Sequence, residues 1–177
     1  MRKYIQEVQH VNLDEEQCFF DEFDSKALQQ QIDLQMRVAE YAKTAKHKEI
    51  PQVLFLIDDF ADDERVLHSN HNLLATLAIR GRHFGASLWV STQKFRALAN
   101  IIRVNLTALF VWPALSNRLE RKAIIEEISG RYTPEQIEEI LHYVSQRPFG
   151  FLFVDLKTTD PDRMFQGSLV QYLRPRE

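Results

Sequence analysis

The sequence predicts an α/β fold: a mostly parallel sheet flanked by helices. Three observations carry this. The run Val53-Leu54-Phe55-Leu56-Ile57 is apolar throughout and ends in two adjacent carboxylates, Asp58 and Asp59, as a buried strand leading to a strand-end site would. Further strand-like runs alternate with stretches of helical periodicity, and this is the pattern of βαβ units. The 177 residues are 45% hydrophobic, enough to bury a core within one domain.

The elements follow in order. Up to about Phe23 the chain is mixed and acidic, with weak strand material at Val8, Val11 and Leu13. Asp24 or Ser25 caps a helix running to about Lys46, in which Leu28, Ile32, Met36 and Ala39 recur at helical spacing. Pro51 breaks the pattern, and Val53–Ile57 reads as a strand buried on both faces. Residues 60–69 form an acidic loop around Ala61-Asp62-Asp63-Glu64. A helix spans about Asn70 to Ile79, with Leu73, Leu74, Leu77 and Ala78 on one side and Gly81 ending it. Ser87–Ser91 is a second strand, closed by Thr92-Gln93.

A basic segment with Leu98, Ile101 and Ile102 precedes a third strand, Thr107–Trp112, which Pro113 stops. Two helices follow, roughly 116–129 and 134–146. Thr133 as cap, Pro134 at the first helical position and Gln136 as capping-box partner mark the start of the second. Phe149–Asp155 is a fourth strand, and Phe165–Leu173 adds a last one. Strands alternating with helices imply right-handed parallel crossovers. Trp89 and Trp112, in apolar strands, read as core. Cys18, beside Phe19 and Phe20, reads as a small buried hydrophobe, and Glu126-Glu127 and Glu138-Glu139 as exposed helix faces.

Composition narrows the function classes. A single cysteine excludes an intramolecular disulfide and a Cys-based metal site, so a reducing compartment is expected. No apolar run approaches the ~18–20 residues of a membrane span, and Met1-Arg2-Lys3-Tyr4 does not begin a signal peptide. A soluble intracellular chain with no membrane partner is the expectation. The net charge of −3 hides a segregation. Between Arg65 and Leu119 there is no Asp or Glu, while Arg65, Arg80, Arg82, Lys94, Arg96, Arg103 and Arg118 supply +7. Either a surface of this segment faces phosphate, or the segment is buried and carries few charges of any kind. His68 and His71 have a metal-compatible spacing but no further ligand nearby, so they read as a solvated helix start.

Asp58 and Asp59 end the first strand and Gln93 ends the second, so all three fall at one end of the sheet. Two carboxylates and an amide there suit a hydrated Mg²⁺, an oriented water and a γ-phosphate sensor. Arg80, Arg82 and His83 lie in the turn feeding the second strand, at its opposite end or toward a neighbouring subunit. From there an arginine suits a charge supplied in trans.

The ordered combination resembles a known family. From about Pro51 to Gly130 the chain resembles the poxvirus-type DNA-packaging ATPases of large DNA viruses, within the FtsK/HerA superfamily of DNA-pumping motors. Leu54–Asp59 matches the Walker B strand, Ala78-Ile79-Arg80-Gly81-Arg82-His83-Phe84 the basic turn, and Ser87–Gln93 the sensor strand. Phe95 through Asn105, Thr107–Trp112 and Phe149–Asp155 resemble the later segments. The resemblance implies a P-loop-NTPase-like fold of the RecA/FtsK-HerA type, incomplete at the N-terminus. It implies one partial ATPase domain over 1–177, with an N-terminal segment and helix in 1–50, a core from Walker B to the late strand in 51–156, and a tail in 157–177. It also implies ATP and Mg²⁺ as cofactors, double-stranded DNA as partner, a homo-oligomeric ring, and a place in a virion, viral factory or host cytoplasm. Residue by residue, Asp58 would hold Mg²⁺ through water and Asp59 would orient or deprotonate the attacking water. Gln93 would sense the γ-phosphate, and Arg82, or else Arg80, would be the arginine finger. Lys94, Arg96 and Arg103 would lie toward the DNA.

One departure from the family is severe. The phosphate-cradling loop G-x-x-x-x-G-K-[ST] is absent, and no glycine precedes Gly81. Among the upstream cations, Lys26, Lys43, Lys46 and Lys48 have no neighbouring glycine, which a close backbone approach to phosphate needs. The chain alone is therefore expected to be inactive. Three readings stand: a fragment of an ATP-driven DNA translocase, favoured by the presence of Asp58, Asp59 and Gln93 together, a non-catalytic DNA-binding or ring-assembly module, and a generic α/β domain with an unrelated small-molecule site, which would make the ordered match a coincidence.

Overall fold

The computed structural model describes residues 7, 12, 18–59, 73–114 and 117–175. The expectations placed on Val8, Val11 and Leu13, on the acidic loop at 61–64, on His68 and His71, and on a helix start at 70–72 lie outside the described residues. The chain divides into two compact units, Met1–Ile50 and Pro51–Glu177. The fold is α/β, with helices and two separate sheets.

The first unit contains helix α1, Ser25–Thr44. Its cap is Asp24, whose Oδ1 accepts from the amides of Lys26 and Ala27 at 2.9 and 3.0 Å. The buried stripe runs through Ile32, Gln35, Ala39 and Ala42, while Met36 is exposed. Met36 was expected on that stripe, but the helix turns its i+3 position inward at Gln35 instead. Cys18 is exposed, not the buried hydrophobe expected.

In the second unit, β1 (Val53–Asp58) and β2 (Ala86–Ser91) pair in parallel from Val53↔Ala86 to Asp58↔Ser91. The connection is helix α2 (Leu73–Arg80) followed by a 3₁₀ turn at Gly81–Phe84, burying Leu74, Ala75, Leu77 and Phe84. The helix ends at Gly81, as expected. Gly81 begins the 3₁₀ turn at a close approach, where a Cβ would stand 2.6 Å from the carbonyl oxygen of Ala86.

β1 is not buried on both faces. Burial alternates along both strands: Leu54, Leu56, Ser87 and Trp89 share an open face, while Val53, Phe55, Ile57, Ala86, Leu88 and Val90 face inward. An uninterrupted apolar run satisfies either arrangement, so the sequence could not separate one covered face from two.

The second sheet has the order β3-β4-β5-β6 and is antiparallel throughout: β3 is Ala108–Val111, β4 Leu152–Asp155, β5 Phe165–Gly167 and β6 Gln171–Leu173. Among the described residues parallel pairing is thus confined to β1–β2, short of the mostly parallel sheet expected. The cause is the connection between β3 and β4. It contains two helices, α4 (Arg118–Ile128) and α5 (Pro134–Ser145), and a second helical return reverses the strand that follows. The segment expected as one strand over 165–173 is a hairpin, turned at Ser168 and Leu169, both left-handed (φ 49° and 57°).

The start of α5 is as expected: Thr133 Oγ1 accepts from the amide of Gln136, and Gln136 Oε1 accepts from the amide of Thr133. Ile124, Ile125, Ile128, Ile137, Ile140, Leu141 and Val144 from the two helices, with Val111, Leu152, Val154, Phe165 and Leu173 from the sheet, supply the largest block of core. Arg121 joins α4 to α5 through Glu138, at 3.1, 3.0 and 2.5 Å, and donates to the carbonyl of Pro113 at 3.0 Å. The opposite face of the sheet is open. Phe110 packs near Trp112, Phe151 and Phe153, with ring centroids 6.5, 5.8 and 5.0 Å away. Trp89 and Trp112, expected in the core, are 59% and 57% exposed on the open faces of their sheets.

Candidate functional site

The parallel pair brings the acids and the amide to one end. Asp58, the last residue of β1, is registered with Ser91, the last of β2, and its pleat position puts it on the open face with Leu54 and Leu56. The ladder runs one rung further, since the amide of Asp59 donates to the Ser91 carbonyl at 3.1 Å. Asp59 takes a left-handed conformation, φ 53°, which Asp tolerates better than most residues. Gln93 stands two residues past the end of β2. Asp58, Asp59 and Gln93 are all exposed, and none has an ion pair or side-chain hydrogen bond among the described residues.

Arg80 and Arg82 occupy the other end. Arg80 closes α2 and Arg82 sits in the 3₁₀ turn, both exposed, immediately before β2 begins. Six strand residues separate that turn from the acids, about 20 Å at the rise of a β-strand. The fold therefore joins Asp58, Asp59 and Gln93, and keeps Arg80 and Arg82 away from them within one chain.

The basic segment forms a third location. Lys94 follows Gln93, its amide held by Thr92 Oγ1 at 3.0 Å. Beyond it lie a 3₁₀ turn at Phe95–Ala97 and the short helix α3, Asn100–Arg103. Two rungs tie this segment to α4, seven residues apart on each side. The amide of Arg96 donates to Glu120 Oε2 at 3.0 Å, and Arg103 Nη1 donates to Glu127 Oε2 at 3.3 Å. Arg103 also lies over the Phe95 ring, 5.7 Å from its centroid. A groove of about 470 Å³ opens beside these rungs, lined by Arg96, Arg103, Ala123, Glu126 and Glu127. Arg103 is thus committed to a carboxylate and a ring, whereas the Arg96 side chain is exposed.

Sequence reasoning missed Glu120 and placed Glu127 on an exposed helix face, whereas its side chain is three-quarters buried. Glu127 is ion-paired to Arg103, and Glu120 is buried. Neither pairing has a local signal, because each partner is 24 residues away. Ser91, whose carbonyl holds the Asp59 amide, was also not singled out, since no side-chain chemistry marks it.

The geometry can present two carboxylates and an amide to a hydrated cation or to water. Among the described residues neither acid has a protein cation on it, and both carboxylates are exposed. Among the described residues no three His, Cys, Asp or Glu side chains gather to enclose a metal. The phosphates of a nucleotide find no glycine-rich cradle in this sequence. No described helix is long and apolar enough to cross a membrane. No family model matches the chain, and a search of curated proteins finds no relative for it.

Proposed function

We propose that this chain carries the Walker B and sensor half of a nucleotide-hydrolysing, DNA-moving ATPase of the P-loop type, one resembling the packaging motors of large DNA viruses. The observation that carries this reading is the in-register parallel pairing of β1 and β2. It sets Asp58 and Asp59 beside the strand that leads to Gln93. In this reading Asp58 holds Mg²⁺ through water, Asp59 orients the attacking water and Gln93 senses the γ-phosphate. The distance of Arg82 from the acids supports a role in a neighbouring subunit's site, within a homo-oligomeric ring around double-stranded DNA. Lys94 and Arg96 lie on the DNA side, while Arg103 supports that segment through Glu127.

The phosphate grip must come from polypeptide other than these residues, so the chain alone binds Mg·ATP negligibly. That favours, as a second reading, a non-catalytic ring or DNA-binding module. The test is the genomic sequence upstream of the Met1 codon. An in-frame strand followed by G-x-x-x-x-G-K-[ST] supports the motor. In the polypeptide so extended, Asp59→Asn abolishes hydrolysis while nucleotide binding persists. Normal turnover in that variant would remove the role given to Asp59, and an upstream stop codon would favour the second reading.

A further inference from the structure

Among the described residues β3 is an edge strand of its sheet. The amide of Leu156 donates to the Thr107 carbonyl at 3.0 Å, so Thr107, Leu109 and Val111 direct their backbone groups toward β4. By the antiparallel alternation, Ala108, Phe110 and Trp112 direct theirs outward, where no strand pairs with them among the described residues. Edge strands are ordinarily protected by charge, proline, a bulge or a covering element. The stretch Thr107-Ala108-Leu109-Phe110-Val111-Trp112 has no charge and no proline, and its outer face carries exposed aromatic rings.

We propose that this edge pairs with the same edge of a second copy of the chain, antiparallel about a two-fold axis through Phe110. That register gives about six backbone hydrogen bonds, all from groups that no described residue pairs with. It sets Phe110 against Phe110 of the second copy, and Trp112 against the methyl group of Ala108, a large ring beside a small residue. A register centred elsewhere loses this match. No charged side chain lies within the paired stretch, so the isologous contact brings no like charges together. The two four-stranded sheets become one, with a continuous aromatic face. Five paired residues make a small interface, so association belongs at about 10–100 µM rather than nanomolar concentrations. This dimer is separate from the ring of the functional reading, which would use a head-to-tail contact at Arg82.

Sedimentation equilibrium and amide exchange on the full chain test it. The weight-average mass should climb from the 20.8 kDa monomer toward twice that value as concentration rises. Exchange at Ala108, Phe110 and Trp112 should slow with concentration, while Leu109 and Val111 stay constant. Ala108→Pro removes an outward amide and no bond to β4, and should weaken association at least tenfold with the circular dichroism spectrum retained. Trp112→Lys, at an exposed position, should do the same. A chain that stays monomeric over this range overturns the proposal. So does association that leaves exchange at Phe110 unaltered, or that survives both β3 substitutions.

Discussion

The amide of Asp59 reaches across to the carbonyl of Ser91 at 3.1 Å, holding Asp59 in a left-handed conformation one residue beyond β1. A residue with a Cβ is disfavoured there, and Asp and Asn are tolerated because their short polar side chains bond locally. Asp59→Asn should therefore melt within a degree or two of the natural chain. Asp59→Val, branched at Cβ, should lose about 1–2 kcal/mol. Equal stability of the Val and Asn variants would mean that the rung to Ser91 does not fix the backbone. The contrast also makes Asn the proper neutral probe of the acid, since it removes charge without moving the chain.

Two glycines of the motif stretches are predicted to act by packing. A Cβ on Gly81 would stand 2.6 Å from the Ala86 carbonyl oxygen, and one on Gly150 would overlap the Val144 carbonyl. In both places the obstacle is backbone, which cannot rotate aside. Gly81→Ala and Gly150→Ala should each destabilise by about 1–3 kcal/mol, while Gly130→Ala, with open space around it, should not. Chemical denaturation of the three variants decides this, and a harmless Gly81→Ala would show that β2 shifts freely against the turn.

Both tryptophans of the chain are more than half exposed, Trp89 opposite Leu56 on the parallel pair and Trp112 beside Phe151 on the antiparallel sheet. Intrinsic fluorescence should be red-shifted and readily quenched by iodide at low protein concentration. A blue-shifted, protected emission under those conditions would contradict the open faces.

Local signals in the sequence named the elements well and their partners less well. The Thr133–Gln136 capping box, the Asp24 cap and the apolar run of β1 each act within a few residues, and each is found where the chain pattern puts it. Asp58 and Asp59 could be set near Gln93 because a single helical return makes parallel strands. The antiparallel sheet was hidden by the same logic, since whether one or two helices precede β4 decides its direction. Which face of an apolar strand is covered depends on what lies across the sheet, so Trp89 and Trp112 were misplaced. Arg96–Glu120 and Arg103–Glu127 depend on the packing of α3 and its preceding turn against α4, and no periodicity records that.

Acid should weaken the link between α4 and α5. The hydrogen bonds from Arg121 hold the Glu138 carboxyl below its ordinary value, against an opposing effect of burial. A carboxylate with a depressed folded value adds stability that is fully present above its unfolded value, about 4.3, and is lost as pH falls through the folded one. Glu138 is partly exposed, so water screens the gain. The difference in melting temperature between the natural chain and Glu138→Gln should be constant from pH 8 to 6 and shrink below about pH 4.3. A gap that stays unchanged down to pH 2 would show that the pairing contributes nothing through ionisation.

Arg96 and Arg103, seven residues apart on one segment, should separate in their effects. Arg103→Ala removes the ion pair to Glu127 and the contact over Phe95, leaving a three-quarters-buried carboxylate without its cation. It should lower stability by about 1–2 kcal/mol. Arg96→Ala keeps the backbone bond to Glu120 and removes only an exposed side chain, so its melting temperature should not move. If this segment faces DNA, the same Arg96→Ala change should weaken binding to duplexes of any sequence and reduce the slope of log K against log salt by about one. Fluorescence anisotropy across a salt series reads this directly. An unchanged slope would take Arg96 off the DNA path, and an unchanged stability in Arg103→Ala would mean that the rung to Glu127 does not brace the segment.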